Sequence, residues 1–289
     1  MPTDKPLAVT GATGHFGRIV VEKLLDRGVS PDLIIAGGRN LDSAAPLAER
    51  GVDVRRIDYE DPASLAEAFA GAGRVLVVSG TEFGRRAQQH VAAARAAQEA
   101  GAELVVYTSA PHADTTTMRL ADEHRATEEG IRALGVPFTF LRNGWYLEGY
   151  AAQIPTYLQF GAVVGSAGDG RISGAGRADL AEAAAAVLLG DGFENTVQEL
   201  GGDTSFTLAE LAATVAEHSG KPITYRDVPV EELTAILVGA GLPENFAAII
   251  ADVDRATREG ALLVETGDLG RILGRPTTTL AEVVAAALR

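Results

Sequence analysis

Residues 7–17 read LAVTGATGHFG and are followed directly by RIVVEKLLDRG, residues 18–28. The first of these segments begins with a short apolar run typical of a strand. The second segment has the period of an amphipathic helix. Between them, Gly11, Gly14 and Gly17 are spaced three residues apart. A glycine-rich turn from strand into helix lets the backbone approach a pyrophosphate, whose charge the helix amides and dipole stabilise. The stretch therefore predicts a dinucleotide-binding strand–turn–helix unit.

The three glycines have separate expected roles in this turn. Gly11 permits the tight turn, Gly14 allows the close approach of a ligand, and Gly17 allows the helix to pack against the strand. A structural turn that binds no nucleotide is the alternative. The other residues expected to contact a dinucleotide here are Thr13, His15 and Phe16.

Short apolar runs rich in Val, Ile and Leu recur through the first 200 residues and alternate with amphipathic stretches. The predicted strands are Leu7 to Thr10, Leu33 to Ala36, Val52 to Ile57, Val75 to Val78, Leu104 to Thr108, Phe138 to Leu141 and Val197 to Leu200. The predicted helices between them are Phe16 to Asp26, Ala44 to Glu49, Ser64 to Phe69, Arg85 to Ala100 and Leu120 to Leu134. This alternation is typical of a parallel sheet covered on both faces. The fold class is therefore predicted as α/β, with a Rossmann-type doubly wound parallel sheet of about seven strands.

After residue 200 the strand signal fades and the pattern becomes helical. The predicted helices there are Leu208 to His218, Val230 to Ala240, Glu244 to Arg258 and Thr279 to Leu288. We therefore expect a dinucleotide-binding domain over residues 1–154, which also recruits about 177–200. A smaller, mainly helical C-terminal substrate lobe is expected over 155–289. The glycine-rich stretch 161–176 is predicted to be a loop or hairpin between the two.

The composition narrows the classes of protein to consider. The chain has 289 residues, with 25 Lys and Arg against 39 Asp and Glu and a formal net charge of −14, which argues against a nucleic-acid partner. It contains no cysteine, which excludes disulfides and thiolate nucleophiles. No apolar run approaches the ~20 residues of a membrane span, and the first residues lack the apolar core of a signal peptide. We therefore expect a cytoplasmic protein without a membrane partner.

The end of the second predicted strand bears on the choice of dinucleotide. NAD is normally recognised by a carboxylate at the carboxyl end of this strand, about 20 residues after the first glycine. Asp32 has roughly that spacing but precedes the strand, whose carboxyl end reads GGRN at residues 37–40. The planar guanidinium of Arg39 suits a 2′-phosphate. NADP (as NADPH) is therefore favoured, and a solvated arginine is the alternative.

Further candidates follow the third, fourth and fifth strands, at the edge where open α/β sheets bind ligands. Asp58 could accept a hydrogen bond from the adenine amine, or it could cap the helix ahead of Pro62. Ser79 and Thr108 are expected to contact the cofactor. These strand ends and that of the sixth strand are expected to converge on one crevice. The residues expected to bind the substrate there are Glu82, Phe83, His112, Trp145 and Tyr146.

Four residues carry the expected chemistry or shape of that crevice. Asn143, at the sixth strand, offers both donors and an acceptor and could orient a carboxamide or a quinone oxygen. Trp145 and Tyr146 offer an aromatic wall for a flat ligand, or else pack the interface between the lobes. His124 lies on a predicted helix beside acids, where a solvated position is the usual alternative to a site role.

Several common catalytic and metal motifs are missing. No lysine follows four residues after a tyrosine, so that the Tyr-x-x-x-Lys pair of ketone-reducing short-chain dehydrogenases is absent. There is no Gly-x-Ser-x-Gly elbow of the kind that serine hydrolases use. The five histidines form no His-x-x-x-His pair. We therefore predict no metal site.

Long segments of this chain resemble one family over almost its whole length. They are VTGATGHFG at residues 9–17, TEFGRRAQQH at 81–90, YTSAPHADTT at 107–116, LADEHRATE at 120–128 and FLRNGWYLEGY at 140–150. By these motifs the chain resembles the atypical short-chain dehydrogenase/reductases of the NmrA-like branch. Within that branch it is most similar to the bacterial NAD(P)H:quinone oxidoreductase 2 group.

The resemblance implies an enzyme that transfers a hydride from NADPH to a quinone or similar planar acceptor, with Asn143 and His124 as its catalytic residues. Related branches place a catalytic lysine eleven residues before the segment that begins here at Gly135, which is the position of His124. A histidine there could contact the nicotinamide ribose or protonate the product oxygen. The alternatives are a non-catalytic NAD(P) redox sensor and a reductase of triphenylmethane-type dyes. A monomer and a homodimer are both left open.

Overall fold

The computed structural model describes residues 5–289. The strands within this range are β1 (Leu7–Val9), β2 (Ile34–Gly38), β3 (Asp53–Arg56), β4 (Arg74–Val77), β5 (Leu104–Ser109), β6 (Phe138–Asn143), β7 (Ala162–Gly165), β8 (Thr196–Leu200) and β9 (Thr224–Asp227). Seven of them form one sheet in the order β3-β2-β1-β4-β5-β6-β8, and β7 pairs with β9 in a second sheet. Each of the seven predicted strands therefore exists, with ends that shift by one or two residues.

The register of the large sheet shows why it is doubly wound. Val9 on β1 lies opposite Ala36 on β2 on one side and Leu76 on β4 on the other, and both pairings are parallel. The chain therefore builds outward from β1 to β3 and then returns to the opposite side of β1. The carboxyl ends of these parallel strands share one edge, and the chain reverses its direction of winding between β1 and β4. This confirms the α/β, doubly wound fold class.

Helices cover the sheet and make up most of the remaining chain. They are α1 (His15–Asp26), α2 (Ala45–Glu49), α3 (Pro62–Phe69), α4 (Arg86–Glu99), α5 (Asp122–Leu134), α6 (Leu147–Ala151), α7 (Ile154–Phe160), α8 (Arg177–Leu189), α9 (Leu208–Ser219), α10 (Val230–Gly239), α11 (Glu244–Arg258), α12 (Asp268–Leu273) and α13 (Leu280–Ala287). Within residues 5–289, no helix combines the length and apolar character that a bilayer crossing requires.

The contacts divide the chain into two units. The first comprises the residues up to Ala110, Glu123–Arg142 and Ala178–Gln198, and the second comprises Pro111–Asp122, Asn143–Arg177 and Glu199–Arg289. The boundary expected near residue 154 falls inside the second unit, because segment 143–177 is tied to residues beyond 199. One such tie is the hydrogen bond from the Gly144 amide to the Leu200 carbonyl, 2.9 Å long.

Some elements differ from the sequence-based expectation. The stretch 161–176, predicted as a loop or hairpin, contains β7, which pairs in parallel with β9 some 60 residues later. A four-residue strand with a distant partner has too little periodicity to stand out. Helix α8 was also missed, since most of its residues are buried and a helix that is apolar on all sides shows no amphipathic period.

The first unit has an aromatic and alanine-rich core between the sheet and the helices. Phe138 and Phe140 stack with ring centroids 4.4 Å apart, and Tyr107 meets Phe140 edge to face. On α4, Ala93 and Ala97 are fully buried in the same cluster. The small alanine side chains allow this helix to lie close to the sheet, which brings the polar residues of α4 near the strand ends.

A buried ion pair joins α5 to the end of β6. Two nitrogens of Arg142 donate hydrogen bonds to the two carboxylate oxygens of Glu128, at 2.9 and 2.7 Å, and both side chains are only 4% exposed. The Ser109 hydroxyl at the end of β5 donates to the same carboxylate at 2.6 Å. Glu128 therefore holds the carboxyl ends of two neighbouring strands.

Replacing Glu128 by alanine is expected to destabilise the protein strongly. The substitution removes one partner of a buried, hydrogen-bonded ion pair, which costs about 3–5 kcal/mol. Urea unfolding of Glu128→Ala measures the loss, with Glu129→Ala, an exposed position on the same helix, as the matched control. Equal free energies of unfolding for the two variants would contradict this account.

Candidate functional site

The turn between β1 and α1, residues 11–17, forms a cradle of backbone groups. Gly11 has a φ of +63°, a left-handed conformation that glycine adopts without strain. The Ala12 amide donates to the Gly37 carbonyl at 2.9 Å, which ties the turn to the end of β2. Gly14 is the N-cap of α1 and provides no side-chain cap. The first amides of a helix have no partner inside the helix, so this terminus is suited to bind an anion.

The space around the glycines distinguishes their roles. A Cβ atom at Gly17 would lie 2.5 Å from the Gly11 carbonyl oxygen, so this glycine is needed for the helix to pack on the turn. At Gly14 the nearest atom to a Cβ would be 3.4 Å away, which is an ordinary contact. The fold therefore leaves space at Gly14 where a ligand could approach the backbone. This geometry agrees with the tight turn expected at Gly11 and the packing expected at Gly17, and the approach of a ligand at Gly14 stays a prediction.

A cleft of about 370 Å³ opens above the cradle within the first unit. Its lining residues are Gly11, Thr13, Gly14, His15, Phe16, Gly17, Gly38, Arg39, Ile57, Asp58, Tyr59, Val78, Ser79, Gly80, Thr81, Glu82 and Gln89. All the residues expected to bind the cofactor line this cleft except Thr108. Thr108 lies behind the lining, where its hydroxyl oxygen accepts a hydrogen bond from the Ser79 amide at 2.8 Å.

The cleft also contains residues that the sequence reasoning missed. Tyr59 follows Asp58 in the chain, and its hydroxyl donates to the Val78 carbonyl at 2.8 Å. Gln89 is on α4 and donates from its amide to Glu82 and Glu60, both at 2.9 Å. No sequence motif marks either residue, because each reaches the cleft through contacts with distant parts of the chain.

Arg39 and Glu82 form an ion pair at this cleft. The guanidinium donates to the Glu82 carboxylate at 2.7 Å, and the arginine side chain is 71% exposed. The hydrogen bond from Gln89, together with Arg39, lowers the pKa of Glu82 and holds it in the charged form. Glu82 was expected to bind the substrate, but it lies among the residues expected to bind the cofactor. Phe83 beside it is partly exposed and packs against the Arg86 guanidinium, 4.6 Å from its ring centre.

The capping alternative for Asp58 is wrong. Helix α3 is capped by Asp61, whose carboxylate accepts hydrogen bonds from the amides of Ala63 and Ser64 at 3.1 and 3.2 Å. The Asp58 carboxylate instead accepts from Arg56 at 2.8 Å and stays at the edge of the cleft. Asp61, which lies directly before Pro62 and three positions before Ser64, has the spacing that a cap requires, whereas Asp58 at the strand end does not.

His124 is buried, so the solvated position considered for it is wrong. It is 6% exposed, and its Nδ1 atom lies 2.8 Å from the hydroxyl of Tyr107 on β5. Burial, with help from the nearby Arg86 and His90, lowers the pKa of His124 well below its usual value. The imidazole is therefore neutral at neutral pH. This excludes an imidazolium as the resting form of the side chain.

The remaining candidate residues belong to the second unit. Asn143 is 8% exposed, and neither polar atom of its amide forms a close, well-aligned hydrogen bond with a described residue. The amide makes a looser polar contact with the Tyr146 phenol, which lowers the pKa of that phenol, although burial raises it by more. The Tyr146 ring packs on the guanidinium of Arg177, 5.0 Å from the ring centre. Trp145 next to it is partly buried.

His112 has a defined place in the second unit. Its backbone has a φ of +50°, and its Nε2 donates to the Leu263 carbonyl at 2.8 Å. Its amide donates to the carboxylate of Glu199. These contacts hold the histidine to the residues around β8 and α11. The convergence of His112, Asn143, Trp145 and Tyr146 on one crevice with the cleft remains a prediction.

No group of three His, Asp or Glu side chains within residues 5–289 has an arrangement that could hold a metal ion.

A glycine cradle at the point where a doubly wound sheet reverses its winding defines the class of Rossmann-type dinucleotide-binding proteins. Residues 3–265 match the NmrA-like family. The chain is 43% identical to quinone oxidoreductase 2 of Escherichia coli (strain K12) over 279 residues, which cover 96% of this chain and 97% of that protein. This protein therefore belongs to the NmrA-like family, which confirms the resemblance read from its motifs.

Solved structures show the same relationship. The crystal structure of the NADPH-dependent quinone oxidoreductase from Escherichia coli in complex with NADPH superimposes with a TM-score of 0.95 and 43% identity, over 98% of this chain and 100% of that one. Triphenylmethane reductase from Citrobacter sp., in complex with NADP(H), superimposes with a TM-score of 0.92 and 38% identity, over 98% and 100% of the two chains.

The two last glycines of the cradle are expected to differ in their effect on stability. Gly17→Ala places a methyl group against the Gly11 carbonyl and should cost about 1–3 kcal/mol, as other overpacked positions do. Gly14→Ala should change the free energy of unfolding by less than about 0.5 kcal/mol. Urea titration of both variants beside the wild type measures this, and an equal loss in the two would contradict the assigned packing.

Proposed function

We propose that this protein is an NADPH-dependent oxidoreductase that transfers a hydride to a quinone or a similar planar acceptor. The observation that carries the proposal is the uncapped glycine cradle with Arg39 at its edge. It occurs in a chain that is 43% identical, over nearly its full length, to quinone oxidoreductase 2 of Escherichia coli. The chemistry that NADPH supplies when bound is hydride transfer to the acceptor.

The cleft residues fit such a cofactor in charge and shape. The amides of residues 14–17 and the N-terminus of α1 would hold the pyrophosphate, where a side chain at Gly14 would interfere. Arg39 would pair with the 2′-phosphate. The charge of the phosphate favours a change of partner, in which the Arg39 guanidinium leaves Glu82 and binds the phosphate. Asp58 would accept a hydrogen bond from the adenine amine. These roles assign NADP in preference to NAD.

Asn143 would position the reacting groups. A buried amide that lacks close hydrogen bonds costs about 1–3 kcal/mol, so the Asn143 side chain, whose contact with Tyr146 is a loose one, is suited to a ligand that donates and accepts. A carboxamide or a quinone oxygen satisfies that requirement. Trp145 and Tyr146, two and three residues after Asn143, would supply the flat surface for the acceptor. In this account catalysis depends mostly on orientation.

The chemistry of quinones explains why no Tyr-x-x-x-Lys pair is needed. Hydride addition to a quinone gives a phenolate-like oxyanion, with a pKa of about 10, that is stable enough to leave without a proton from the enzyme. A ketone gives a far more basic alkoxide, which requires a positioned donor. The absence of that pair in the sequence is therefore consistent with a quinone acceptor.

A dye acceptor is the second candidate. The 38% identity to triphenylmethane reductase over 98% of this chain supports it. The redox-sensor alternative has support only from the fold, since the solved structure of NmrA is 15% identical. The cytoplasmic location and the choice between monomer and homodimer stay predictions.

A panel of acceptors tests the proposed activity. Purified protein with NADPH and a series of small quinones should oxidise NADPH, as followed by the loss of its absorbance, and added EDTA should leave the rate unchanged. The same assay with cationic triphenylmethane dyes shows whether they are better acceptors. NADPH binding without oxidation by any quinone or dye would favour the redox sensor and overturn the enzyme assignment.

The pairing of Arg39 predicts how cofactor choice can be changed. Arg39→Asp should weaken NADPH by about 2 kcal/mol, roughly 30-fold in KM, because a charge-assisted pair is lost, while KM for NADH changes little. Glu82→Gln should have the opposite effect on NADPH, because the carboxylate that competes for Arg39 is removed. Arg95→Asp, an exposed arginine of α4 outside the cleft, is the control. Equal effects on both cofactors would refute the 2′-phosphate assignment.

A further inference from the structure

A chain of buried hydrogen bonds runs from the cleft to His124. It starts at the Gly80 amide, which donates to Nε2 of His90 at 2.8 Å. Gly80 lines the cleft, and His90 on α4 is fully buried. A backbone amide can only donate a hydrogen bond, so the Nε2 atom that accepts it carries no proton.

The proton of His90 must therefore be on its other nitrogen. Burial and the nearby Arg86 lower the pKa of His90 to about 3, so the ring is neutral with one proton, on Nδ1. Two hydroxyl oxygens are in reach of this atom, that of Tyr107 at 3.2 Å and that of Thr127 at 3.4 Å. The Thr127 hydroxyl gives its own hydrogen to the Glu123 carbonyl at 2.7 Å. Both hydroxyls can accept the proton of His90, and Tyr107 is the nearer.

The direction of the hydrogen bond between Tyr107 and His124 follows from the bonds that His90 forms with Gly80 and Tyr107. Tyr107 is fully buried, and burial raises the pKa of its phenol, so the hydroxyl keeps its hydrogen. His90 cannot accept that hydrogen, because its Nδ1 is already protonated. The Thr127 hydroxyl also lies near this phenol, but the short hydrogen bond that can take the phenol hydrogen is the one to Nδ1 of His124, at 2.8 Å.

We propose that Gly80, His90 and Tyr107 together fix His124 as the neutral tautomer that carries its proton on Nε2. His90 and Tyr107 are then positioning residues that act through His124. The rings support the same arrangement by packing, with centroids 5.3 Å apart for His90 and Tyr107 and 5.9 Å apart for Tyr107 and His124.

This tautomer defines what His124 does in the reaction, an assignment that rests on the proposed function. A neutral imidazole offers its Nε2–H as a hydrogen-bond donor to a ligand oxygen and keeps the proton throughout. It therefore orients the ligand and does not act as a general acid in place of a lysine. The Gly80 amide, which sets the tautomer through His90, lines the cleft. The proposed cofactor site and the Nε2–H donor of His124 therefore belong to one hydrogen-bonded network.

The tautomers can be read directly by NMR. In protein labelled with nitrogen-15 in histidine, long-range proton–nitrogen correlation spectra distinguish Nδ1–H from Nε2–H and from the charged ring. We expect Nδ1–H for His90 and Nε2–H for His124 at neutral pH in the wild type. A His124 that carries its proton on Nδ1, or that is charged at neutral pH, would overturn the proposal without any variant being made.

Two variants test the consequence for activity. Tyr107→Phe removes the hydroxyl that donates to His124, so its spectrum should show a change in the His124 tautomer and kcat with quinone should fall about 5- to 10-fold, with KM for NADPH unchanged. Tyr157→Phe, which deletes the same atom in the second unit, is the control. In His90→Gln the side chain can still accept from Gly80 and donate to Tyr107, so it should retain the tautomer and most of the activity that His90→Leu loses.

The outcomes separate the inference from the proposed function. A Tyr107→Phe protein that has lost the tautomer but keeps wild-type kcat would contradict the positioning role. If Tyr107→Phe does not fold, the pair His90→Gln and His90→Leu makes the same comparison. A wild type that reduces no acceptor would contradict the proposed function, whereas its spectra would still decide the tautomer of His124.

Discussion

The close contact between the first helix and the glycine turn is the constraint on which the rest of the structure depends. A side chain at Gly17 would meet the carbonyl of Gly11 at 2.5 Å, so α1 can lie against the turn only because this residue is glycine. The Ala12 amide then ties the turn to Gly37 at the end of β2. The backbone of Arg39 follows two residues later. The amides of the cradle and Arg39, for which we propose pyrophosphate and 2′-phosphate binding, are therefore positioned by one packing contact.

The buried polar groups show where the fold is complete and where it leaves room for a ligand. Glu128 and Arg142 satisfy each other in a buried pair, and His90, Tyr107 and His124 satisfy one another in a directed chain. Asn143 differs, because neither polar end of its buried amide forms a close hydrogen bond with a described residue. Such buried groups are costly, which supports the proposal that Asn143 contacts a ligand.

The sequence determined the sheet with good accuracy, because buried parallel strands are continuous apolar runs that need no knowledge of their neighbours. It also determined the cradle, since the spacing of Gly11, Gly14 and Gly17 between a strand and a helix predicts a tight turn that the helix packs against. Strands and helices without a local sequence pattern were not predicted. The β7 and β9 strands are four residues long with a distant partner, and α8 is too evenly buried to show a helical period.

The tertiary structure alone decided which side chains meet. Composition and spacing placed Glu82 with the substrate residues, but folding brings it to Arg39, 43 positions earlier in the chain. They also left His124 open between solvent and site, and the structure buries it against Tyr107 from a different element. Periodicity reports how a segment meets its immediate surroundings, whereas partners and hydrogen-bond directions depend on residues far away in the sequence. For that reason the cofactor cradle could be read from the chain, and the protonation of His124 could be inferred only from the fold.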